Sequence, residues 1–271
     1  MQDLGMDRGL VVLGCGKMGQ ALVQGWLTGG LDPQNVWILD PNPAPCLKDW
    51  GVHVNTALPQ APWGVMIAVK PQMMGEALPQ ITRVSGEDTV FLSIAAGVTL
   101  SHFEEVLGKR PIIRSMPNTP AAIGQGITAI VGNARVTEEH LTGAEALLSA
   151  VGEVLRVETE AQIDAVTGVS GSGPAYVFHL IETLAAAGEA EGLPAQTAMR
   201  LAKATVAGAG ALAFPKEADP SQLRVNVTSP GGTTQAALEV LMDAEKGFPR
   251  LLPRAVRAAV ARAGELSKGE G

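Results

Sequence analysis

The run Gly14-Cys15-Gly16-Lys17-Met18-Gly19 follows the apolar segment Leu10–Leu13 and leads into a helical pattern over Met18–Leu27. A strand that turns on glycine directly into a helix limits the fold severely, because the chain must then cross back beside that strand. Short β-branched runs recur at Val36–Leu39, Val65–Val69, Val90–Ile94, Ile112–Ser115, Ile127–Val131 and Val154–Val157. Most are apolar at every position, as in strands covered on both faces. Helical stretches such as Glu138–Val151 lie between them. Residues 1–157 therefore predict an α/β domain built on a parallel, doubly wound sheet.

After Glu158 the pattern changes, and no further strand is expected. Ile163–Ala187, Ala195–Phe214, Thr234–Met242 and Leu251–Leu266 read as helices, which makes residues 158–271 an all-helical second domain. In the last helix Leu252, Ala255, Val256, Ala259, Val260, Ala263 and Leu266 form one apolar stripe. Ala195–Phe214 differs, with Ala, Leu, Met and Val nearly all round it. Such a helix must be covered on every side, yet a tail this short has little core of its own. A second copy of the chain is the simplest cover, so a homo-oligomer is expected.

The 271 residues are 46% hydrophobic and 17% charged, the balance of a compact soluble protein. A net charge of −7 argues against nucleic acid or an anionic membrane as partner. Arg250, Arg254, Arg257 and Arg262 read as a solvated helix face. No apolar run approaches the roughly 20 residues that span a bilayer, and the opening residues do not resemble a signal peptide. Cys15 and Cys46 form no disulfide framework, so a reduced, cytoplasmic chain is expected. His53, His102, His140 and His179 lack ligand spacing, so no metal is expected.

Between a strand and a helix, Gly14–Gly19 reads as a dinucleotide loop. Gly14 makes the turn, Gly16 lets a pyrophosphate approach the backbone, and Gly19 lets helix and strand pack closely. Asp40 ends the second strand 21 residues after Gly19. An acid there hydrogen-bonds the adenosine ribose, or it merely starts the turn with Pro41; both readings stand. Lys48 is the only cation in 40–50, which tilts the local chemistry towards NADH over NADPH. Ala68-Val69-Lys70-Pro71 and Ala95-Ala96-Gly97 follow two later strands and are placed to line the ligand. From position alone, Lys70 reads as a solvated turn lysine.

A second glycine turn, Val227-Thr228-Ser229-Pro230-Gly231-Gly232-Thr233-Thr234, precedes the helical pattern from Gln235. Such a turn aims several N–H groups at one spot where the helix dipole favours negative charge. It reads as a receptor for a small carboxylate with a hydroxyl beside it. The plainer reading is a helix start capped by Ser229 or Thr233.

Taken together, the chain resembles the pyrroline-5-carboxylate reductase family. The matching segments are Gly14–Gly19, Ala68–Pro71, Ser93–Val98, Met116-Pro117-Asn118-Thr119-Pro120, Asp164–Tyr176 and Asn226–Thr234. The resemblance implies a Rossmann-type domain and a helical dimerisation domain that interleaves with a partner, the active site lying between them. It also implies that Leu13, Gly14, Cys15, Gly16, Lys17, Met18, Asn55, Ala68, Val69, Lys70, Pro71, Ile94, Ala95 and Ala96 contact the cofactor. By the same resemblance Ser229, Gly231, Gly232, Thr233 and Thr234 hold the substrate carboxylate, Thr234 meets the ring nitrogen, and Glu217 edges the pocket. Many relatives place Ser or Arg where this chain has Asp40-Pro41-Asn42, so NADPH preference does not carry over.

The implied reaction is hydride transfer from NADPH or NADH to the C=N of 1-pyrroline-5-carboxylate, giving L-proline in the last step of proline biosynthesis. Tyr176 and His179 read as packing residues, Tyr176 alternatively as lining the pocket. Cys15 reads as an unreactive small side chain. Ser170-Gly171-Ser172-Gly173-Pro174 reads as a kink in the linking helix, part of the substrate wall, or both. A β-hydroxyacid dehydrogenase of the 6-phosphogluconate type is one alternative, but its lysine proton carrier is missing from Ile163–Ala187. The other is a non-catalytic sensor of the nicotinamide ratio, which would not need the turn at Ser229–Thr234.

Overall fold

Along β1 (Leu10–Leu13), Leu10 and Val12 join one apolar layer while Val11 and Leu13 join another. Alternate side chains of a strand point to opposite faces, so a strand apolar throughout must have both faces covered. The computed structural model describes residues 6–69, 73–215 and 217–267. Within it, α1 (Lys17–Thr28) lies in the first layer, where Leu22, Val23 and Trp26 are fully buried. The Trp26 indole donates to the Leu147 carbonyl at 2.8 Å, tying α1 to α5 (Glu138–Leu148). The second layer holds α3 (Met74–Thr82) through Leu78 and Ile81, and α4 (Leu100–Leu107) through Phe103.

The remaining strands are β2 (Val36–Leu39), β3 (His53–Val54), β4 (Gly64–Ile67), β5 (Val90–Ser93), β6 (Ile112–Met116), β7 (Gly126–Gly132) and β8 (Gly152–Arg156). They form one sheet in the order β3-β2-β1-β4-β5-β6-β7-β8, with a short α2 (Cys46–Asp49) before β3. The strand order reverses between β1 and β4, which opens a crevice at their carboxyl ends. The mostly parallel sheet agrees with expectation, with one difference: β6 and β7 pair antiparallel. Residues 117–125 are too few for a parallel return, which takes about a dozen or more.

The chain packs as two compact units. One runs to Gly171 and resumes at Ala259; the other is Ser172–Ala258. The helix expected over Ile163–Ala187 is broken into α6 (Glu160–Val166) and α7 (Gly173–Ala190) by a π turn at Thr167–Gly171. In the second unit α7 packs on α8 (Ala195–Ala213) through a seam of small residues, Ala185, Ala198 and Ala202. Leu201, Leu212 and Phe214 remain exposed, Leu212 at 69% and Phe214 at 71%. The unit ends with α9 (Pro220–Asn226), α10 (Thr233–Leu241) and the first part of α11 (Phe248–Ser267). α9 was not expected from sequence. The arginines of α11 are all exposed, and Arg262 pairs with Glu265 at 2.7 Å.

Arg114, on β6, is the one charged side chain fully buried among the described residues, at 3% exposure. Its guanidinium donates to Glu160 at 2.8 Å and to Asp164 at 3.1 Å, both on α6. The same Glu160 oxygen accepts the Leu100 N–H at 2.8 Å, so one cluster ties β6, α6 and the start of α4. Removing one member leaves partly shielded charges without a partner. Arg114→Ala should therefore lower unfolding free energy by about 3 kcal/mol in urea titrations followed by circular dichroism. A change under about 1 kcal/mol would show that the cluster contributes little.

Candidate active site

The turn after β1 is shaped by what lies beside it. Gly14 has φ +81, and a Cβ there would come within 2.7 Å of Val69 Cγ1 and 3.0 Å of the Ala68 carbonyl oxygen. Only glycine meets both demands. Gly16 differs: a Cβ there would meet nothing within 4 Å, so the backbone faces open space. Gly16 also caps α1 without a side-chain hydrogen bond. The amides of Lys17, Met18 and Gly19 thus point outward with no carbonyl of their own helix to reach. A Cβ on Gly19 would press on the Gly14 carbonyl at 3.2 Å, so the third glycine serves packing.

Asp40 is built into this turn. One carboxylate oxygen accepts the Cys15 N–H at 2.6 Å and the other accepts the Asn42 N–H at 2.8 Å. The second contact is a local turn over Pro41, so Asp40 does start the turn there. Asn55, at φ +52, holds the Asp40 backbone from the other side. Its side-chain oxygen accepts the Asp40 N–H at 3.0 Å and its amide donates to the Asp40 carbonyl at 2.8 Å.

An open pocket of about 300 Å³ lies at the carboxyl ends of the central strands. Met18, Ala68, Val69, Ile94, Ala95 and Ala96 line it, so six of the sixteen expected cofactor residues converge there. Met116 and Pro117 complete the wall. They were not expected as site residues, although they begin one of the segments that match the family. Lys70 and Pro71 lie outside the described residues.

The second glycine turn precedes α10. Gly231 has φ +70, and the helix cap is Gly232, with no side-chain cap hydrogen bond. Neither Ser229 nor Thr233 caps the helix, contrary to the plainer reading. The Gly232 amide donates to the Ser229 carbonyl at 3.0 Å, and the Gly231 amide to the Gln235 side chain at 2.7 Å. The first-turn amides of Thr233, Thr234 and Gln235 therefore remain for an anion. Gln235 thus braces the turn, a role that only the folded geometry reveals. Thr234 is half-buried, while Ser229, Gly231 and Thr233 are exposed.

Glu217 is exposed between α8 and α9, and Tyr176 is half-buried on α7. His179 is not packed: it is exposed and sits 3.2 Å from Glu182. No group of three or more metal-ligating side chains occurs among the described residues. Nor is any helix among them long and apolar enough to cross a membrane.

Comparison with known proteins gives these features a family. The pyrroline-5-carboxylate reductase dimerisation model matches residues 160–266, and the coenzyme F420-dependent NADP oxidoreductase model matches residues 9–97. The pyrroline-5-carboxylate reductase of Pseudomonas aeruginosa is 38% identical over 266 residues, covering 96% of this chain and 97% of that protein. The chain belongs to the pyrroline-5-carboxylate reductase family.

Solved members of the family have the same fold. The Coxiella burnetii enzyme superposes with a TM-score of 0.89 at 35% identity, over 96% of this chain and 98% of that one. The Plasmodium falciparum pyrroline carboxylate reductase, solved with NADP bound, gives 0.81 at 26% identity over 96% and 98%. The chain is thus a nicotinamide-dependent oxidoreductase with the family's dimerisation domain. Neither the β-hydroxyacid dehydrogenase nor the sensor reading is needed.

Inside the family's glycine turn, Cys15 is shielded. Burial, then the charge of Asp40, then Cys46 push its thiol up from 9.0 to about 12. The unfolded thiol ionises near 9, so between pH 9 and 12 the folded state holds a proton that the unfolded state has lost. Stability from this source is complete below that window and falls as pH rises through it. Cys15→Ala should therefore remove about 2 kcal/mol of the loss seen between about pH 9 and about pH 10.5, read from urea midpoints. Parallel pH profiles for the two proteins would refute the shielding.

Proposed function

We propose that this chain reduces 1-pyrroline-5-carboxylate to L-proline, the last step of proline biosynthesis, with NADH or NADPH as electron donor. The carrying observation is the helix start at Thr233–Gln235: a glycine turn, no side-chain cap, and a threonine hydroxyl in the first turn. That combination suits a small amino-acid carboxylate with a polar nitrogen nearby.

The cofactor fits the residues present. The open approach over Gly16, the uncapped start of α1 and the small side chains of Ala68, Ala95 and Ala96 leave room for a pyrophosphate and a flat ring. In this reading Leu13 to Gly19, Asp40, Asn55, Ala68, Val69, Lys70, Pro71 and Ile94 to Ala96 hold the dinucleotide. Reduced nicotinamide, when bound, supplies the hydride for the C=N carbon. Ser229, Gly231, Gly232 and Thr233 shape the seat for the substrate carboxylate, Glu217 borders it, and the amides after Gly232 neutralise its charge. Thr234 orients the ring nitrogen through its hydroxyl. A cyclic imine takes a proton from water readily, so these residues need to position rather than protonate it.

In functional terms 1–157 is the dinucleotide domain and 158–271 the substrate and dimerisation domain, working as a homodimer or an assembly of dimers in the cytoplasm. The exposed Leu201, Leu212 and Phe214 support self-association. Light scattering should give at least twice the chain mass of 28.0 kDa, and a single-chain mass would exclude the dimer. Thr234→Ala should lower kcat/KM for pyrroline-5-carboxylate by about 1–3 kcal/mol, roughly 5- to 150-fold, with Thr234→Ser recovering most of it. Unchanged kcat/KM in the alanine variant would remove Thr234 from the site.

A further inference from the structure

We propose that the immobilised carboxylate of Asp40 makes this chain select NADH over NADPH. The inference rests on the reading of Gly14–Gly19 as a dinucleotide turn, and it goes further by naming which coenzyme that turn admits.

Asp40 follows β2, where a bound adenosine ribose is expected beside the glycine turn. An ionised carboxylate offers about four acceptor positions and no donor. Two are taken by the Cys15 N–H at 2.6 Å and the Asn42 N–H at 2.8 Å. The free positions suit the two hydroxyl donors of an unmodified ribose. A 2′-phosphate has no such donor to give and brings negative charge against a carboxylate. Displacing that carboxylate would break both N–H contacts. The backbone cannot yield easily either, since Asn55 grips the Asp40 N–H and carbonyl together.

Phosphate recognition here would also call for a cation. Between Asp40 and Asn55 the sequence supplies only Lys48, which is exposed on α2, besides His53, which stacks on Trp37 with ring centroids 4.6 Å apart. Among the described contacts no lysine or arginine pairs with Asp40; both of its oxygens are held by N–H groups. The Asp40 carboxylate is therefore fixed in place by N–H groups rather than paired with a cation among the described contacts.

Direct titration of the purified protein with NADH and with NADPH, followed by coenzyme fluorescence, tests this without any substrate. Wild type should bind NADH at least about tenfold more tightly than NADPH. Asp40→Ser should bring that ratio down by about tenfold or more, mainly by tightening NADPH. Should Asp40→Ser fail to fold, Asp40→Asn keeps an acceptor for one N–H, drops the charge and should shift the ratio the same way. Equal binding of the two coenzymes by wild type, a preference for NADPH, or a ratio that neither variant moves would each overturn the proposal. Binding of neither coenzyme would overturn it together with the dinucleotide reading. An NADH preference that Asp40→Ser abolishes, in a protein that fails to reduce pyrroline-5-carboxylate, would uphold Asp40's role and refute the reaction alone.

Discussion

The side chains of β1 divide between two separate apolar layers, and the rest of the nucleotide-binding unit follows from that division. A sheet covered on both faces buries most of its apolar surface but leaves no face free for chemistry. What remains accessible is the carboxyl edge, where the chain leaves each strand and turns. Leu13 accepts a backbone bond from Ala68 at 2.8 Å, and Ile67 accepts one from Ile94 at 3.1 Å. These ladder contacts bring the turns after β1, β4 and β5 to one level, and the pocket between Met18, Ala68 and Ala95 results.

The two glycine turns share one construction in different surroundings. Each starts a helix on a glycine with no side-chain cap, leaving amides directed outward. The first is pressed against Val69 and Ala68 and anchored by Asp40, so it is held by packing as well as by hydrogen bonds. The second lies largely at the surface and is braced by Gln235. Elsewhere in the same unit α7 and α8 meet through alanines, which allow close approach but bury little area. That is why large apolar side chains such as Leu201 and Phe214 stay exposed in a single chain.

Strands with apolar residues at every position could be read to within a residue or two, because two-sided burial leaves a direct mark on composition. The two-residue β3 left none: His53 and Val54 owe their pairing to β2 rather than to their own preference. The antiparallel β6–β7 pair was likewise hidden, since direction depends on how far the linking segment reaches. The break in the linking helix was partly legible: the kink expected at Ser170–Pro174 overlaps the π turn at Thr167–Gly171, whose start three residues earlier was not. Its glycine sits against Met116, where a Cβ would approach the Met116 methyl at 2.6 Å.

For the candidate site, residue types, spacing and the family resemblance picked out both turns and six of the eight residues lining the pocket at the strands' carboxyl ends. Met116 and Pro117 escaped notice because β6 only reaches the pocket by lying next to β5 in the sheet. By itself, then, the sequence determined the alternation of strand and helix, the glycine turns and the family, since these depend on local periodicity and backbone freedom. The tertiary structure alone decided which amides are already spent, how Asp40 is pinned between Cys15 and Asn42, and why Arg114 can be buried. The Asp40–Cys15 and Arg114–Glu160 contacts join partners 25 and 46 residues apart, whose distances no local pattern encodes.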